Sequence, residues 1–331
     1  MKVKWLLPFF ALVLLLAGGC KKDKDTVVSP IVGTWRLPYD SIVYYYVFKP
    51  NGDLIEALEF PGGLRTKSTE VYHAYDKNVL LNNSLCAFRI SGDSLIISAT
   101  PDIVLLKNAD VNVDDWVGSF SISNKIALPA LSTSIGALEW NGTEFLLSNF
   151  FKRIYKLSAA GVFTDSVDIP TKSYGVCYHN GKIYTNGGNV DSKLREISFV
   201  TGAELSFSSP YSQKFSANTT DGTDIWCISE AGKLISYNPI IDAFTTGPAV
   251  LPFSSGSLTL VSDMSIKDGY AYGCSAYTGI LKINLTTGRV ERNYINTSGT
   301  AIIYGIAHAN GKLMAVCADG GSVYLAEIQL N

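Results

Sequence analysis

The sequence predicts an all-β protein in which a small antiparallel barrel or sandwich precedes a larger array of repeated sheets. Tyr (18) and Phe (15) are plentiful, and long stretches of Ala, Glu and Lys that would favour helices are absent. Among the Asn-Gly and Asp-Gly pairs of the C-terminal two thirds, five recur about 40 residues apart, which indicates repeated hairpins. The chain has 331 residues, of which 47% are apolar. That length suits about two domains, and that composition provides a core.

Residues 1–20 predict an export signal of the lipoprotein type. Lys2 and Lys4 give a positive start, and the apolar run that follows, Trp5 to Leu16, is shorter than the roughly 20 residues of a spanning helix. The segment ends in Leu-Ala-Gly-Gly-Cys at Cys20, which resembles the lipobox of bacterial lipoproteins. The resemblance implies that Cys20 is diacylated, becomes the first residue of the mature chain and holds the protein at a membrane.

Two features leave alternatives at this end of the chain. Lipoboxes usually carry Leu where this sequence has Ala17, so a plain secretory signal with a chance cysteine is the other interpretation. The charged run over residues 21–25 resembles the surface-export signal of some Gram-negative lipoproteins, and it also fits a solvated tether. We therefore expect a tether over residues 21–30 and an outer-membrane protein at the cell surface rather than on the periplasmic face.

Residues 31–110 predict a small β module. Gly33-Thr34-Trp35 opens a strand and resembles the Gly-x-Trp motif of lipocalin-like domains, which implies that Trp35 plugs one end of a barrel. A hairpin turning at Pro50-Asn51-Gly52 follows, with further strands near residues 69–75, 85–90 and 94–98. The block is short for a lipocalin, so we expect a compact barrel or sandwich with little room for a ligand.

Two other organisations of residues 31–110 remain open. Trp35 can be the core residue of an unrelated β module. Alternatively, the block can form two extra units of the array that follows, because Gly52 and Gly92 are 40 positions apart.

The repeats begin near residue 115. Their turn pairs are Asn141-Gly142, Asn180-Gly181, Asp221-Gly222, Asp268-Gly269 and Asn310-Gly311, with glycine spacings of 39, 41, 47 and 42. These pairs favour type I′ hairpins, since both central residues need positive φ. One candidate strand precedes each pair and two or three follow it, and four short strands per period of about 40 residues are typical of a propeller blade. We therefore predict a five-bladed β-propeller over residues 115–331.

The fifth repeat indicates how the ring closes. The chain stops at Asn331, after the third strand of that repeat. A strand-like segment over residues 118–128 has no blade of its own, so we predict that it is the outer strand of the last blade. The pattern resembles five-bladed propellers and, more loosely, NHL-type and quinoprotein-like propeller repeats. That resemblance implies a fold and not an activity.

Cysteine and histidine spacing predicts neither a metal site nor a redox site. Five cysteines follow Cys20, an odd number without Cys-x-x-Cys spacing, and the three histidines are far apart. Cys227, Cys274 and Cys317 each lie five or six residues after a turn glycine, inside an apolar strand. We interpret them as small buried packing residues.

One segment partly matches an EF-hand calcium loop. Asp110, Asn112 and Asp114 occupy its first, third and fifth positions, but Asp115 and Ser121 stand where the loop needs glycine and glutamate. We therefore interpret the segment as a linker and predict no metal and no cofactor. A net charge of −2, or −4 after loss of Lys2 and Lys4, also gives no basis for a nucleic-acid partner.

Propeller loops on one face supply the candidate site. The loops between second and third strands, and those that lead into the next blade, hold polar and aromatic residues that we expect to surround the central channel. The ligand-binding candidates are Asn149, Lys152, Tyr174, Asn189, Asp191, Glu230, Asp263, Tyr277, Tyr304 and Asp319. For any one of them, solvent exposure of a loop is an alternative reason for polarity.

The resulting hypothesis is a membrane-anchored, cell-surface binding protein for a glycan, a peptide or an envelope protein. A first alternative is an extracytoplasmic hydrolase or lyase in which Asp263 acts with Asp319 or Glu230. The chain loosely resembles propeller lactonases and glutamine cyclotransferases, although their functional residues do not align with it, and we consider an enzyme the less favoured reading. A second alternative is a structural subunit of an envelope complex.

Overall fold

The structure is a computed structural model. It describes residues 29–75, 77–81, 84–99, 102–108, 111–113, 116–129, 131, 135–187, 192–230, 232–249, 261–275, 279–296 and 300–331. Within these ranges no helix is both long enough and apolar enough to cross a membrane. The calcium-loop positions Asp110 and Asp114 lie outside them, as do the signal segment and Cys20.

The first nine strands form one antiparallel sheet that curls into a nearly closed barrel. Their bounds are β1 Gly33–Tyr39, β2 Ile42–Phe48, β3 Asp53–Glu59, β4 Arg65–Val71, β5 His73–Tyr75, β6 Asn78–Leu81, β7 Ser84–Ser91, β8 Ser94–Ile97 and β9 Ile103–Lys107. The order across the sheet is β4-β3-β2-β1-β9-β8-β7-β6-β5. Only Tyr72 separates β4 from β5 along the chain, so the two edges of the sheet adjoin. Residues 31–110 thus build a single sheet and not two extra blades.

Side chains fill the barrel. Phe48, Leu54, Leu95 and Leu105 are fully buried and pack in one cluster with Trp35. The Nε1 of Trp35 donates a 2.8 Å hydrogen bond to the carbonyl oxygen of Ile31, which satisfies the buried indole. A barrel of about eight strands has an interior just wide enough for its own side chains.

Five four-stranded blades surround a common axis. The first four are β11 Ile135–Trp140, β12 Glu144–Asn149, β13 Arg153–Ser158 and β14 Phe163–Asp168; β15 Gly175–His179, β16 Lys182–Asn186, β17 Leu194–Ile197 and β18 Glu204–Phe207; β19 Phe215–Thr220, β20 Ile225–Ser229, β21 Lys233–Asn238 and β22 Ala243–Ala249; and β23 Asp263–Lys267, β24 Tyr270–Ser275, β25 Gly279–Asn284 and β26 Val290–Asn296. The fifth combines β27 Ile302–Ala309, β28 Lys312–Asp319 and β29 Ser322–Leu330 with β10 Val117–Ala127.

The innermost strands close a ring. They contact one another in the order β11, β15, β19, β23 and β27, and β27 returns to β11. The prediction of an all-β chain with a five-bladed propeller behind a small barrel is therefore confirmed.

The turn pairs adopt two geometries. Asn180-Gly181, Asp268-Gly269 and Asn310-Gly311 have positive φ at both positions, as a two-residue type I′ turn requires. Asn141 and Asp221 do not, because their loops are one or two residues longer. There the side-chain oxygen accepts hydrogen bonds from the second and third backbone N–H groups that follow. The expected hairpins are present, but a type I′ turn is the wrong geometry for these two.

Strand β10 closes the propeller and joins two blades. It pairs antiparallel with β29, from Phe120 opposite Leu330 to Ala127 opposite Tyr324. Its first residues, Val117 to Phe120, also pair in parallel with Asn293 to Asn296 of β26. The fourth and fifth blades are therefore one eight-stranded sheet, a junction that the sequence did not indicate.

The barrel packs against the fourth blade and the start of β10. Leu64, after the 3-10 turn Pro61–Gly63, is buried in a cluster with Leu281, Ile283 and Val290 of the propeller. Arg289 lies with its Nη2 3.4 Å from Oε1 of Glu59. These contacts use the outer sides of β2, β3 and β4.

Candidate functional site

Each blade presents two ends. The loops between second and third strands and the connections to the next blade lie at one end, called here the loop face. The Asn-Gly and Asp-Gly turns and the turns between third and fourth strands lie at the other end, called here the turn face. Function in propellers concentrates where irregular loops from several blades meet.

Three predicted candidates meet at the joint between the first and second blades. The rings of Phe150 and Tyr174 pack against each other across it at an interplanar angle of 49°, with centroids 4.9 Å apart. Lys152 is exposed and has φ of 69°, and its carbonyl accepts a 2.8 Å hydrogen bond from the N–H of Ile169. Phe151, between them, is 67% exposed. The joint thus presents aromatic surface beside a cation.

Asn149 shapes this loop from beneath. It is 8% exposed, and its Oδ1 accepts hydrogen bonds from the N–H groups of Phe151 and Arg153. At the rim, Arg153 and Asp168 form a bidentate ion pair, which holds the pKa of the Asp168 carboxyl below its usual range. The role of Asn149 is therefore to hold the loop that carries Phe151 and Lys152.

Three of the other candidates in loops lie within the described residues. Tyr304 is half-buried and packs against a core cluster, Asp319 accepts a 3.1 Å hydrogen bond from Thr300 Oγ1, and Glu230 is exposed. The candidates Asn189, Asp191 and Tyr277 lie outside the described residues.

Asp263 lies inside the ring. Its Oδ2 accepts 2.9 Å hydrogen bonds from the N–H groups of Leu138 in β11 and Ile306 in β27, so one carboxyl joins three blades. The innermost strand of every blade is a sheet edge whose N–H groups need acceptors. Asp263 is the acceptor for two of these N–H groups, one on β11 and one on β27. Burial raises the pKa of Asp263, and the charge of Glu139 adds to the effect.

Asn218 performs a similar task between the second and third blades. Its Nδ2 donates to the carbonyl of Tyr184 at 3.1 Å, and its Oδ1 accepts from Asn186 Nδ2 at 3.0 Å. A Cβ at Gly175 would overlap that Oδ1, and a Cβ at Gly305 would lie 2.6 Å from the N of Leu138. Glycine is required at Gly175 because the Asn218 side chain occupies the space, and at Gly305 because the backbone of β11 lies too close for a side chain.

Glu139 is the axial carboxyl that sequence reasoning missed. It is 8% exposed, and it accepts hydrogen bonds from Trp140 N at 3.0 Å and Thr219 Oγ1 at 3.4 Å. Burial raises its pKa to about 8, so the neutral acid persists near neutral pH. The available signal was a carboxylate inside an otherwise apolar inner strand, Ile135–Trp140.

Cysteines and histidines have packing and joining roles. Cys177, Cys227, Cys274 and Cys317 are buried and free, and burial raises the pKa of each thiol. Near the turn face, His179 Nδ1 lies 2.8 Å from Thr220 Oγ1 and His308 Nδ1 lies 3.0 Å from Ser265 Oγ. Both contacts join neighbouring blades. Across the described ranges, no three His, Cys, Asp or Glu side chains are grouped to hold a metal ion.

Comparisons with known proteins find similarity at the level of fold. No protein-family model matches the chain, and a search of curated proteins returns no match. The crystal structure of a glutaminyl cyclase from Myxococcus xanthus is similar with a TM-score of 0.53 at 16% identity, over 66% of this chain and 99% of that chain. The WD40 β-propeller domain of Doa1 gives a TM-score of 0.42 at 10% identity, over 62% of this chain and 96% of that chain. The likeness to the glutaminyl cyclase is therefore one of fold alone.

Proposed function

We propose that the chain is a lipid-anchored cell-surface protein that binds a glycan or peptide at the loop face of its propeller. The observation that carries the proposal is the joint between the first two blades. There the tilted aromatic pair of Phe150 and Tyr174 lies with an exposed Phe151 and an exposed Lys152. An aromatic platform takes the apolar face of a sugar ring or a side chain, and a neighbouring cation takes its acidic or hydroxyl groups.

The state of Asp263 supports binding over catalysis. Its Oδ2 is occupied by two backbone N–H groups and the residue is fully buried. A catalytic carboxyl must reach the atom that it protonates or deprotonates. Asp263 instead holds the first, fourth and fifth blades together beneath the loops.

Ligand binding is tested with an array of bacterial and host polysaccharides and of short peptides. We expect Phe151→Ala and Tyr174→Ala to weaken binding by about tenfold each, as for aromatic residues at the centre of a contact. Ile240→Ala is the matched control, since Ile240 is 84% exposed but lies on the turn face. Equal loss in the control, or unchanged binding in both loop-face variants, would contradict the proposed site.

Anchoring is tested with Cys20→Ser. The chain with Cys20 is expected to fractionate with membranes and to carry the mass of its acyl groups, because several acyl chains give stable attachment. Cys20→Ser is expected in the soluble fraction without that mass. Proteolysis of intact cells then distinguishes the cell surface from the periplasmic face. An unacylated chain, or a Cys20→Ser variant that still sediments, would disprove the anchor.

Glu139 favours an extracytoplasmic hydrolase or lyase as the second candidate. A carboxyl whose pKa is raised to about 8 can donate a proton near neutral pH. A glutaminyl cyclase shares the fold, so ammonia release from peptides with N-terminal glutamine is a suitable first assay. Activity in the chain that disappears in Glu139→Gln, with folding intact, would establish this candidate in place of the binding protein.

A further inference from the structure

The barrel has an apolar outer wall that belongs to none of the core clusters formed by the described residues. Leu95, Ile97 and Leu105 point into the barrel core. Because side chains alternate along a strand, the intervening positions point outward. The outer wall, as defined here, consists of Leu85, Ala87, Arg89, Ile96, Val104 and Leu106.

The register brings these side chains together. Arg89 lies opposite Ile96, and Ile96 lies opposite Val104. Leu106 lies opposite Arg36 of β1, which is exposed. Leu85 is 63% exposed, Val104 44% and Leu106 39%. Ser91 and Ser94 share this face, since Ser94 lies opposite both Ser91 and Leu106. The wall is therefore an aliphatic patch with interspersed hydroxyl groups and two arginines.

Charge distinguishes this wall from the rest of the barrel. Strands β6 to β9 contain no Asp or Glu, and the nearest described carboxylates, Asp93 and Asp102, lie in turns at their ends. Strands β3 and β4 on the opposite side carry Glu56, Glu59 and Glu70. Aliphatic side chains with arginines and without carboxylates suit the interface of an anionic bilayer.

The order of strands places the wall away from the propeller. The propeller packs against the outer sides of β2, β3 and β4. In the cyclic order of the barrel, β7 and β8 lie across from β2 and β3. The barrel therefore lies between the wall and the propeller.

The length of chain outside the structure indicates the occupant. The described residues begin at residue 29, nine positions after Cys20. Nine residues span at most about 30 Å when fully extended. A lipid on Cys20 would keep the barrel within that distance of the bilayer, so the bilayer is the surface that the wall meets at the highest local concentration.

We infer that the outer wall of the barrel rests on the anionic lipid–water interface and that the loop face of the propeller is held away from it. The inference rests on the proposed lipid anchor for its setting, while the affinity of the wall for lipid is a property of the unacylated chain. The wall and the anchor are therefore separable in experiment.

The test uses the exported Cys20→Ser chain and sedimentation with vesicles of phosphatidylethanolamine and phosphatidylglycerol. We expect the chain to bind these vesicles, and Arg89→Glu to weaken binding by about fivefold. Val104→Asp with Leu106→Asp is expected to weaken it by about tenfold. The matched control is Leu205→Asp with Phe207→Asp, since these residues are 60% and 58% exposed on the propeller strand β18. Circular dichroism and melting temperature confirm that each variant folds.

Three outcomes would overturn the inference. The unacylated chain does not bind the vesicles, or the wall variants bind as well as the control, or centrifugation without lipid shows a dimer that the wall variants lose. The last outcome would make the wall an interface between two copies of the chain. Mass spectrometry of the chain with Cys20 tests the anchor separately, so a missing lipid is distinguished from a wall that does not bind lipid.

Discussion

Asp263 shows how a single side chain can organise three blades. Two N–H groups on sheet edges lie 2.9 Å from its Oδ2, and both would be buried without a partner if the carboxyl were removed. Burial raises its pKa and so favours the neutral form of the group. The carboxyl therefore works as a hydrogen-bond acceptor, for which its charge is not needed.

Replacement of Asp263 tests that role. We expect Asp263→Ala to lower the free energy of unfolding by about 3 kcal/mol, since two buried donors lose their acceptor. Asp263→Asn keeps an acceptor oxygen of the same shape and is expected to cost less than half as much. Urea denaturation measures both. An asparagine variant as unstable as the alanine variant would show that a negative charge is required.

Glu139 predicts a dependence of stability on pH. Its pKa is about 8 in the folded chain against an ordinary value of 4.5, so the folded state holds a proton that the unfolded state releases. The resulting stabilisation is complete below pH 4.5 and is lost as pH rises to about 8, by up to about 1.4 kcal/mol per pH unit. Asp263 acts in the same direction.

Glu139→Gln removes that contribution. The variant is expected to be more stable than the unsubstituted chain at pH 9, and its stability is expected to fall less steeply between pH 5 and 8. Melting temperatures across this range measure the difference. Glu230→Gln, at an exposed carboxyl, is the control and should keep the original slope. Parallel curves for Glu139→Gln and the unsubstituted chain would contradict a raised pKa.

Sequence reasoning reached some of these side chains. Asp263 was a candidate because this carboxylate stands at the start of an inner strand. Glu139 was missed because the alternation of side chains along a strand predicts that a side chain is buried but not which blade that side chain contacts. The loop at Phe151 and Lys152 was expected from its position between second and third strands. Asn149 supports this loop through two hydrogen bonds. Those bonds can be identified only in the folded structure.

The strands are the part of the structure that the sequence predicted best. Turn glycines marked all five hairpins, because positive φ is costly for other residues. Loop lengths of two, three and four residues then changed the turn geometry in ways that the dipeptides did not indicate. In the barrel, β6 and β9 were missed since their short apolar runs, NVLL and IVLLK, do not alternate clearly.

Gly118 tests the strand that seals the ring. A Cβ there would lie 2.6 Å from Cδ1 of Tyr294 and 2.8 Å from the carbonyl of Asn331. We therefore expect Gly118→Ala to separate β10 from its neighbours and to cost about 1–3 kcal/mol. Melting temperature and protease cleavage near the C-terminus measure the effect. Ser121→Ala in the same strand is the control, and an equally large loss there would contradict a local clash.

The described residues form two modules, the barrel and the propeller ring, which pack against each other. The ring was predictable because a period of about 40 residues has few architectural solutions. The docking was not, since Leu64 and Arg289 belong to different modules and nothing in either local pattern relates them. The lipid anchor at Cys20, the partner and the location remain predictions.

Leu64→Glu is expected to undock the barrel, because it places a charge among Leu281, Ile283 and Val290. Undocking should expose the link between barrel and propeller to protease, increase the radius of gyration in X-ray scattering, and divide thermal unfolding into two steps. Leu85→Glu, on the exposed side of the barrel, should change none of these. A single transition and an unchanged radius in Leu64→Glu would show that other contacts hold the modules together.

The seal made by β10 also has a consequence for folding during synthesis. Phe120 pairs with Asn296 and with Leu330, so the first propeller strand to emerge has no partner strand until β26 and then β29 have been made. Contacts between residues so far apart along the chain form slowly. Until they form, the strand edges stay unpaired and prone to aggregation. A truncated product ending before β29 would leave one edge of β10 and one edge of β28 unpaired, and quality-control proteases would then have open edges by which to recognise incomplete chains.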